Sequence, residues 1–281
     1  MTSPIAAALP PEGGARRCGR SGYLGNIRRP SRVLSGDQFS ATPDTGPPGP
    51  HTPGLGAAGG TQLSGLHALR NRVVDAPDSV GARKRARRWQ WLREAFPGIG
   101  SMSVIDLGGT VETWLRAPVR PGAVHVVNLE APPAEVPDWI RADRADACDL
   151  PEHIAGSRYD LVFSNSVIEH VGGHAQRMRF AAAVHRLAPK HWVQTPYRYF
   201  PIEPHWLFPG FQFLPLVVRG EISHRWPLMH TPSASRSEGI TAAMEVELLS
   251  RTELGYYFPD SVLRQEKAMG LVKSLIAVKT I

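Results

Sequence analysis

The segment Ser103-Val104-Ile105-Asp106-Leu107-Gly108-Gly109-Thr110 decides the fold. Its apolar residues run without alternation, which suits a strand covered on both faces, as in a parallel sheet between helices. The run closes on an acidic residue and breaks at two glycines. Glycine lets a chain turn sharply and lets a ligand approach where a Cβ would collide. In open α/β sheets ligands sit beyond the carboxyl ends of the strands, where this turn falls. Alone, the stretch reads equally well as a ligand-free strand-to-helix turn. The segments that follow it tip the balance.

Val124-His125-Val126-Val127-Asn128-Leu129-Glu130 is a second apolar run ending in a carboxylate. An acidic residue about 20 positions beyond a glycine turn is placed to accept hydrogen bonds from a ribose. Asp146-Ala147-Cys148-Asp149-Leu150-Pro151 marks the exit of a third strand. Tyr159 to His170 reads as a fourth strand running into polar residues. Gly172-Gly173 precedes a helix with Phe180, Ala183, Val184 and Leu187 on one face, and His191 to Pro196 is a fifth strand. Ser261–Lys267 and Leu271–Lys279 read as two strands joined at Gly270. Strands and helices alternate, so the fold class is α/β, Rossmann-like, with a mainly parallel sheet and helices on both faces.

The flanks differ in character. Residues 1–61 are rich in Pro, Gly and Arg and read as a disordered tail, because such composition buries too little apolar surface to offset its ordering. Residues 62–281 form the domain, opening with a helical segment over 62–98. Asp78 and Ser79 suit its N-cap, Trp89, Leu92 and Phe96 its apolar face, and Pro97-Gly98 its end. Arg83, Lys84, Arg85, Arg87 and Arg88 read as the wet face of that helix, with a nucleic-acid patch as the other reading. An insertion over 197–245 opens with seven aromatics between Tyr197 and Phe213, interrupted by prolines that exclude a regular element. A packed lid over a substrate fits that composition, and a membrane-surface or oligomer contact are the alternatives. The formal charge is +7, and two cysteines exclude a disulfide framework or a cysteine metal site. With no apolar run near the ~18 residues of a membrane span, and no basic stretch ahead of an apolar one at the start, the expected location is cytoplasmic.

The glycine spacing narrows the cofactor. G-x-G-x-x-G would need glycines at 110 and 113, which are Thr110 and Thr113, and no Walker A lysine pattern occurs. From about residue 80 onward the chain resembles the class I S-adenosylmethionine-dependent methyltransferases, nearest to small bacterial enzymes of the type 11/type 12 domain kind. The resemblance rests on Val104–Gly109, Asn128-Leu129-Glu130, Asp146-Ala147 with Asp149–Pro151, and Asp160–Ser166 with Glu169-His170. It implies a seven-stranded sheet with the last strand antiparallel and S-adenosyl-L-methionine as cofactor. Asp106, Gly108 and Gly109 would meet its methionine part. Asn128, Leu129 and Glu130 would meet the ribose and one purine face, Asp146 and Ala147 the adenine, and Ser164 and Asn165 the amino-acid end. The family's D-x-G-x-G-x-G would place glycines at 110 and 112, where Thr110 and Glu112 stand, so the turn takes another path.

The expected activity is methyl transfer to a small-molecule acceptor at oxygen. His205 or Glu203 is the candidate base, His170 a further catalytic candidate or a helix-start residue bonded to backbone, and Tyr197 and Arg198 the acceptor's contacts. Some quinone-biosynthesis relatives carry E-x-x-E-H after the fourth strand. Here Ser166 replaces the first carboxylate, leaving Glu169-His170, so no metal is expected. Two other classes stay open: a non-catalytic binding protein with an altered glycine loop, and a nucleic-acid methyltransferase using the basic helix.

Overall fold

The computed structural model describes residues 80–226, 228 and 233–281, with side chains from 85 onward, so the tail, the segment 62–79 and its caps Asp78 and Ser79 lie outside the described residues. Helix α1 (Val80–Ala95) ends against Pro97 and leads through a 3-10 turn into β1 (Ser103–Leu107). There follow α2 (Val111–Leu115), β2 (Ala123–Asn128), β3 (Ile140–Arg144), α3 (Glu152–Ala155), β4 (Leu161–Asn165), α4 (His174–Leu187) and β5 (Lys190–Pro196). A two-stranded ribbon, β6 (Ile202–Glu203) and β7 (Phe208–Pro209), comes next, then α5 (Leu216–Arg225), α6 (Arg236–Met244) and α7 (Arg251–Tyr257). The chain closes with β8 (Val262–Ala268) and β9 (Leu271–Lys279). The large sheet has the order β3-β2-β1-β4-β5-β9-β8, with β9 antiparallel to β5 and the first five strands parallel.

β1 lies at the centre because nearly all of it is buried and both its faces are covered. Ile105 and Leu107 point into one core with Val127, Val162, Val193 and Leu275, under Phe180, Val184 and Leu187 of α4 and Leu254 of α7. Val104 points into the other, with Val126, Phe163 and Trp192, under Leu92 of α1 and Trp114 of α2. Period-two alternation along the strand serves both layers, and helical spacing in α4 fills the first. The hairpin at Gly270 forms as expected.

Three differences from the sequence reading have local causes. β2 stops at Asn128 rather than Glu130, because the Asn128 side chain accepts from Glu130 N (3.1 Å) and donates to Gly109 O (2.7 Å), which folds the chain out of the sheet. Arg88 leaves the wet face of α1 and points inward. The insertion contains regular structure despite its prolines: Pro215 caps α5, and Trp206 stacks on Phe211 with centroids 4.1 Å apart. Trp206, Phe211 and Ala243 form a small core of their own, with Leu216, Ile222 and Trp226 against it. Among the described residues no helix is long and apolar enough to cross a membrane.

Candidate active site

The glycine turn after β1 is built tightly. Gly108 has φ +84°, and a Cβ there would lie 2.5 Å from a methyl of Val167; a Cβ on Gly109 would lie 1.7 Å from the Asp106 carboxylate. The expected close approach therefore occurs, but the chain's own side chains make it. Thr110 explains the missing third glycine: it is the N-cap of α2, with Thr113 N donating to its Oγ1 at 3.3 Å. A threonine directly before a helical run with Glu112 in the first turn is the signal for that cap.

Asp106 is 1% exposed, and Trp114 Nε1 donates to its Oδ2 at 2.7 Å. Burial raises its pKa to about 7, against the lowering effect of the Trp114 bond. Its Oδ1 is buried without a hydrogen-bond partner. Gly109, which abuts this carboxylate, also lines a cleft of about 220 Å³ together with Thr110, Glu112, Asn128, Glu130 and Pro132. Glu130 is exposed, and beside it Leu129 is 66% exposed. On the neighbouring loop Asp146 accepts from Cys148 N at 2.8 Å, and Ala147 is buried.

Two of the expected cofactor contacts have other partners. Ser164 is fully buried and its Oγ donates to Leu107 O at 2.9 Å, tying β4 to the end of β1, so it does not line a cavity. Asn165 accepts from Arg88 Nη1 at 2.8 Å, and the same guanidinium donates to Gln194 at 3.0 Å and pairs with Glu266 at 3.5 Å. Burial lowers the Arg88 pKa, and Glu266 opposes that. This cation is therefore withdrawn from the basic face that a nucleic acid would touch.

The acceptor-side residues divide in the same way. Arg198 Nε donates to Leu248 O at 2.7 Å and Nη2 to Glu253 at 2.8 Å, which braces the insertion rather than leaving the guanidinium free for an anion. Tyr197 bridges to Leu249 and packs against the α4-side core. Glu203, His205 and His170 do converge. Glu203 is 1% exposed; its Oε2 accepts from the backbone of His205 and Trp206 (2.7 and 2.9 Å), and its Oε1 meets His205 Nδ1 at 2.6 Å. With the Glu203 oxygen as acceptor, Nδ1 carries the proton and Nε2 is left on the side of His170. Burial disfavours the His205 cation, but Glu203, helped by Glu169, outweighs it and raises the pKa. His205 Nε2 lies 3.1 Å from His170 Nε2. Glu169, not singled out from the sequence as a site residue, completes the group. It is fully buried, accepts from Thr195 Oγ1 at 2.9 Å, and burial lifts its pKa to about 7.

The strand order and the antiparallel β9 are those of the class I S-adenosylmethionine-dependent methyltransferase fold. No protein-family model matches the chain, and no curated protein does. Among solved structures it is similar to an S-adenosylmethionine-dependent methyltransferase from Mesorhizobium loti, at 22% identity over 41% of this chain and 56% of that one, TM-score 0.33. It is also similar to 1,6-didemethyltoxoflavin-N1-methyltransferase from Burkholderia thailandensis, at 15% identity over 83% of this chain and 94% of that one, TM-score 0.41. A third is magnesium protoporphyrin IX methyltransferase from Synechocystis PCC 6803, at 12% identity over 77% and 94%, TM-score 0.40.

Proposed function

We propose that this chain is an S-adenosylmethionine-dependent methyltransferase acting on a small-molecule acceptor at oxygen. The observation that carries the proposal is the cleft beyond β1 and β2, which brings Gly109, Asn128 and Glu130 together around an exposed carboxylate. The residues fit the cofactor. Asp106 Oδ1 is a buried acceptor in need of a donor, next to the glycine that lines the cleft, and an ammonium group suits it. Glu130 suits a ribose diol and Leu129 a purine face.

When bound, the cofactor supplies an electrophilic methyl group. The chain's own tasks are to hold both partners in line and to take a proton. Positioning supplies much of the rate in such a displacement. An acceptor hydroxyl must also lose its proton, and His205 Nε2 is the acceptor for it, with Glu203 stabilising the imidazolium through Nδ1. Val167, packed on Gly108, and His170, whose N donates to Val167 O at 2.8 Å, join the glycine turn to this base.

One observation favours a second reading. Val167 fills the space beside Gly108, as it would in a binding protein that carries the fold without the chemistry. A labelled-methyl assay on small-molecule extract with the full chain separates the two. Transfer to an extractable product supports the enzyme, and cofactor binding without transfer supports the binding protein.

A further inference from the structure

The group formed by Glu169, His170 and His205 has features that a proton relay does not need. Each residue offers one ligand-type atom, and these atoms all lie within 4.8 Å of one another. The two imidazoles turn their Nε2 atoms toward each other at 3.1 Å. Two nitrogens bound to one tetrahedral ion at ~2.0–2.1 Å would stand about 3.3–3.4 Å apart, so the rings need only a small adjustment. A hydrogen bond between the rings explains that distance too. It leaves unexplained the Glu169 carboxylate, whose Oε1 is fully buried and without a partner.

The surroundings are those of a built ligand set. Glu203 binds His205 through Nδ1 at 2.6 Å, which fixes the ring and its tautomer so that the Nε2 lone pair is directed toward His170. A carboxylate behind a ligating imidazole in this way recurs at metal sites. Thr195 Oγ1 donates to the other oxygen of Glu169, and Glu247 N donates to the Glu169 backbone carbonyl at 2.9 Å, so side chain and backbone are each held once. Ser166 takes no part; its hydroxyl donates to Gln194 at 2.9 Å. The sequence alone gave no metal site here because His205 lies 35 residues from His170 and arrives with the insertion.

We propose that Glu169, His170 and His205 bind one first-row divalent cation of the zinc type, with Glu203 as the positioning residue behind His205. Two imidazoles and one carboxylate suit zinc and its neighbours, whereas calcium and magnesium prefer all-oxygen sets. Three protein ligands leave a coordination position open, and His170 lies on the exposed side of the group. That position takes an oxygen donor, water or a hydroxyl, whose proton the ion makes easier to lose, so in the metal-bound state His205 Nε2 is a ligand and the ion replaces it in easing that proton's departure to solvent. The site stands independently of the methyltransferase reading. Only the identification of the hydroxyl with the methyl acceptor rests on it.

The test uses the full chain, stripped with a chelator and titrated with zinc chloride against a chromophoric chelator, and separately with cobalt(II), without cofactor. One tightly bound equivalent is expected, with a tetrahedral cobalt absorption band. His170→Ala and His205→Ala should each weaken zinc at least ~10-fold, and Glu203→Gln ~10–100-fold with a shifted cobalt band. His170→Asn, at an exposed position, guards against loss of fold, which the melting temperature reports. Anomalous scattering at the zinc edge should place the ion on the three ligands. Substoichiometric binding, an affinity unchanged in folded His170→Asn and His205→Ala, or an ion located elsewhere overturns the proposal. Because no cofactor is present, failure here leaves methyl transfer to be judged on its own assay.

Discussion

Replacing Asp106 with Asn should remove a large pH dependence from the stability of the domain. Asp106 is fully buried, and its pKa is about 7 against an ordinary 3.8. The folded value is raised, so the native state keeps a proton that the unfolded chain has already lost between about pH 4 and 7. Its contribution is therefore whole below about pH 4, declines as pH climbs, and is lost above about 7. Three pKa units at about 1.4 kcal/mol each put the loss on the order of 4 kcal/mol. Asn keeps an oxygen for Trp114 Nε1 and carries no charge at any of these pH values. Urea unfolding of wild type and Asp106→Asn at pH 5, 6, 7 and 8 measures the difference directly. The gap between the two should move by several kcal/mol in favour of the variant as pH rises. Glu169 titrates in the same range, but it is common to both proteins and cancels. Parallel stability curves would refute the reasoning and mean that Asp106 is hydrated or already paired. A cation bound beside Asp106 stabilises its carboxylate, so cofactor affinity should rise from pH 6 to 8 in the wild type and flatten in the variant.

Other expectations follow from particular contacts. Ser250 and Glu253 form a reciprocal capping box at the start of α7, so Ser250→Ala should cost about 0.5–2 kcal/mol in denaturant unfolding, and no loss would mean the cap is idle. Phe180 is fully buried in the α4-side core, and Phe180→Ala should cost about 3–5 kcal/mol by the same measurement. His205→Gln should lower turnover at least ~100-fold while cofactor affinity and melting temperature hold nearly constant. Unchanged turnover would move the base elsewhere.

The ends of β1 and β2 were legible in the sequence because these inner strands are covered on both faces and mostly apolar, so a polar residue near the end of a run stands out. Asp106, Asn128 and Glu130 were picked out as candidates in that way, although β2 itself ends at Asn128. Their partners were not. Ser164 reads as a strand-end hydroxyl, and only the pleat decides that it bonds Leu107 O instead of facing a cavity. Arg88 is one of five basic residues in a short run, and nothing in their order marks the one that turns inward to Asn165 and Gln194. Trp114 is core, yet its indole N–H also holds the acid at the sheet's centre, which nothing in the sequence marks. Arg198 looked free because its anchors, Leu248 and Glu253, lie about 50 residues on. The meeting of Glu169 and His170 with His205 depends on how the insertion folds back, which periodicity does not encode.

The most direct measurement is calorimetric titration of the full chain with S-adenosylmethionine and with its demethylated product, in the wild type and in Glu130→Gln. Glu130 is exposed on the cleft, and among the described residues its hydrogen bond to the fold is made by its backbone N, so the substitution should leave the melting temperature unchanged. The expected result is one binding site for each ligand, weakened about 10-fold or more in the variant through loss of a charged acceptor. No heat and no melting shift at millimolar ligand in the wild type would contradict methyl transfer by this chain.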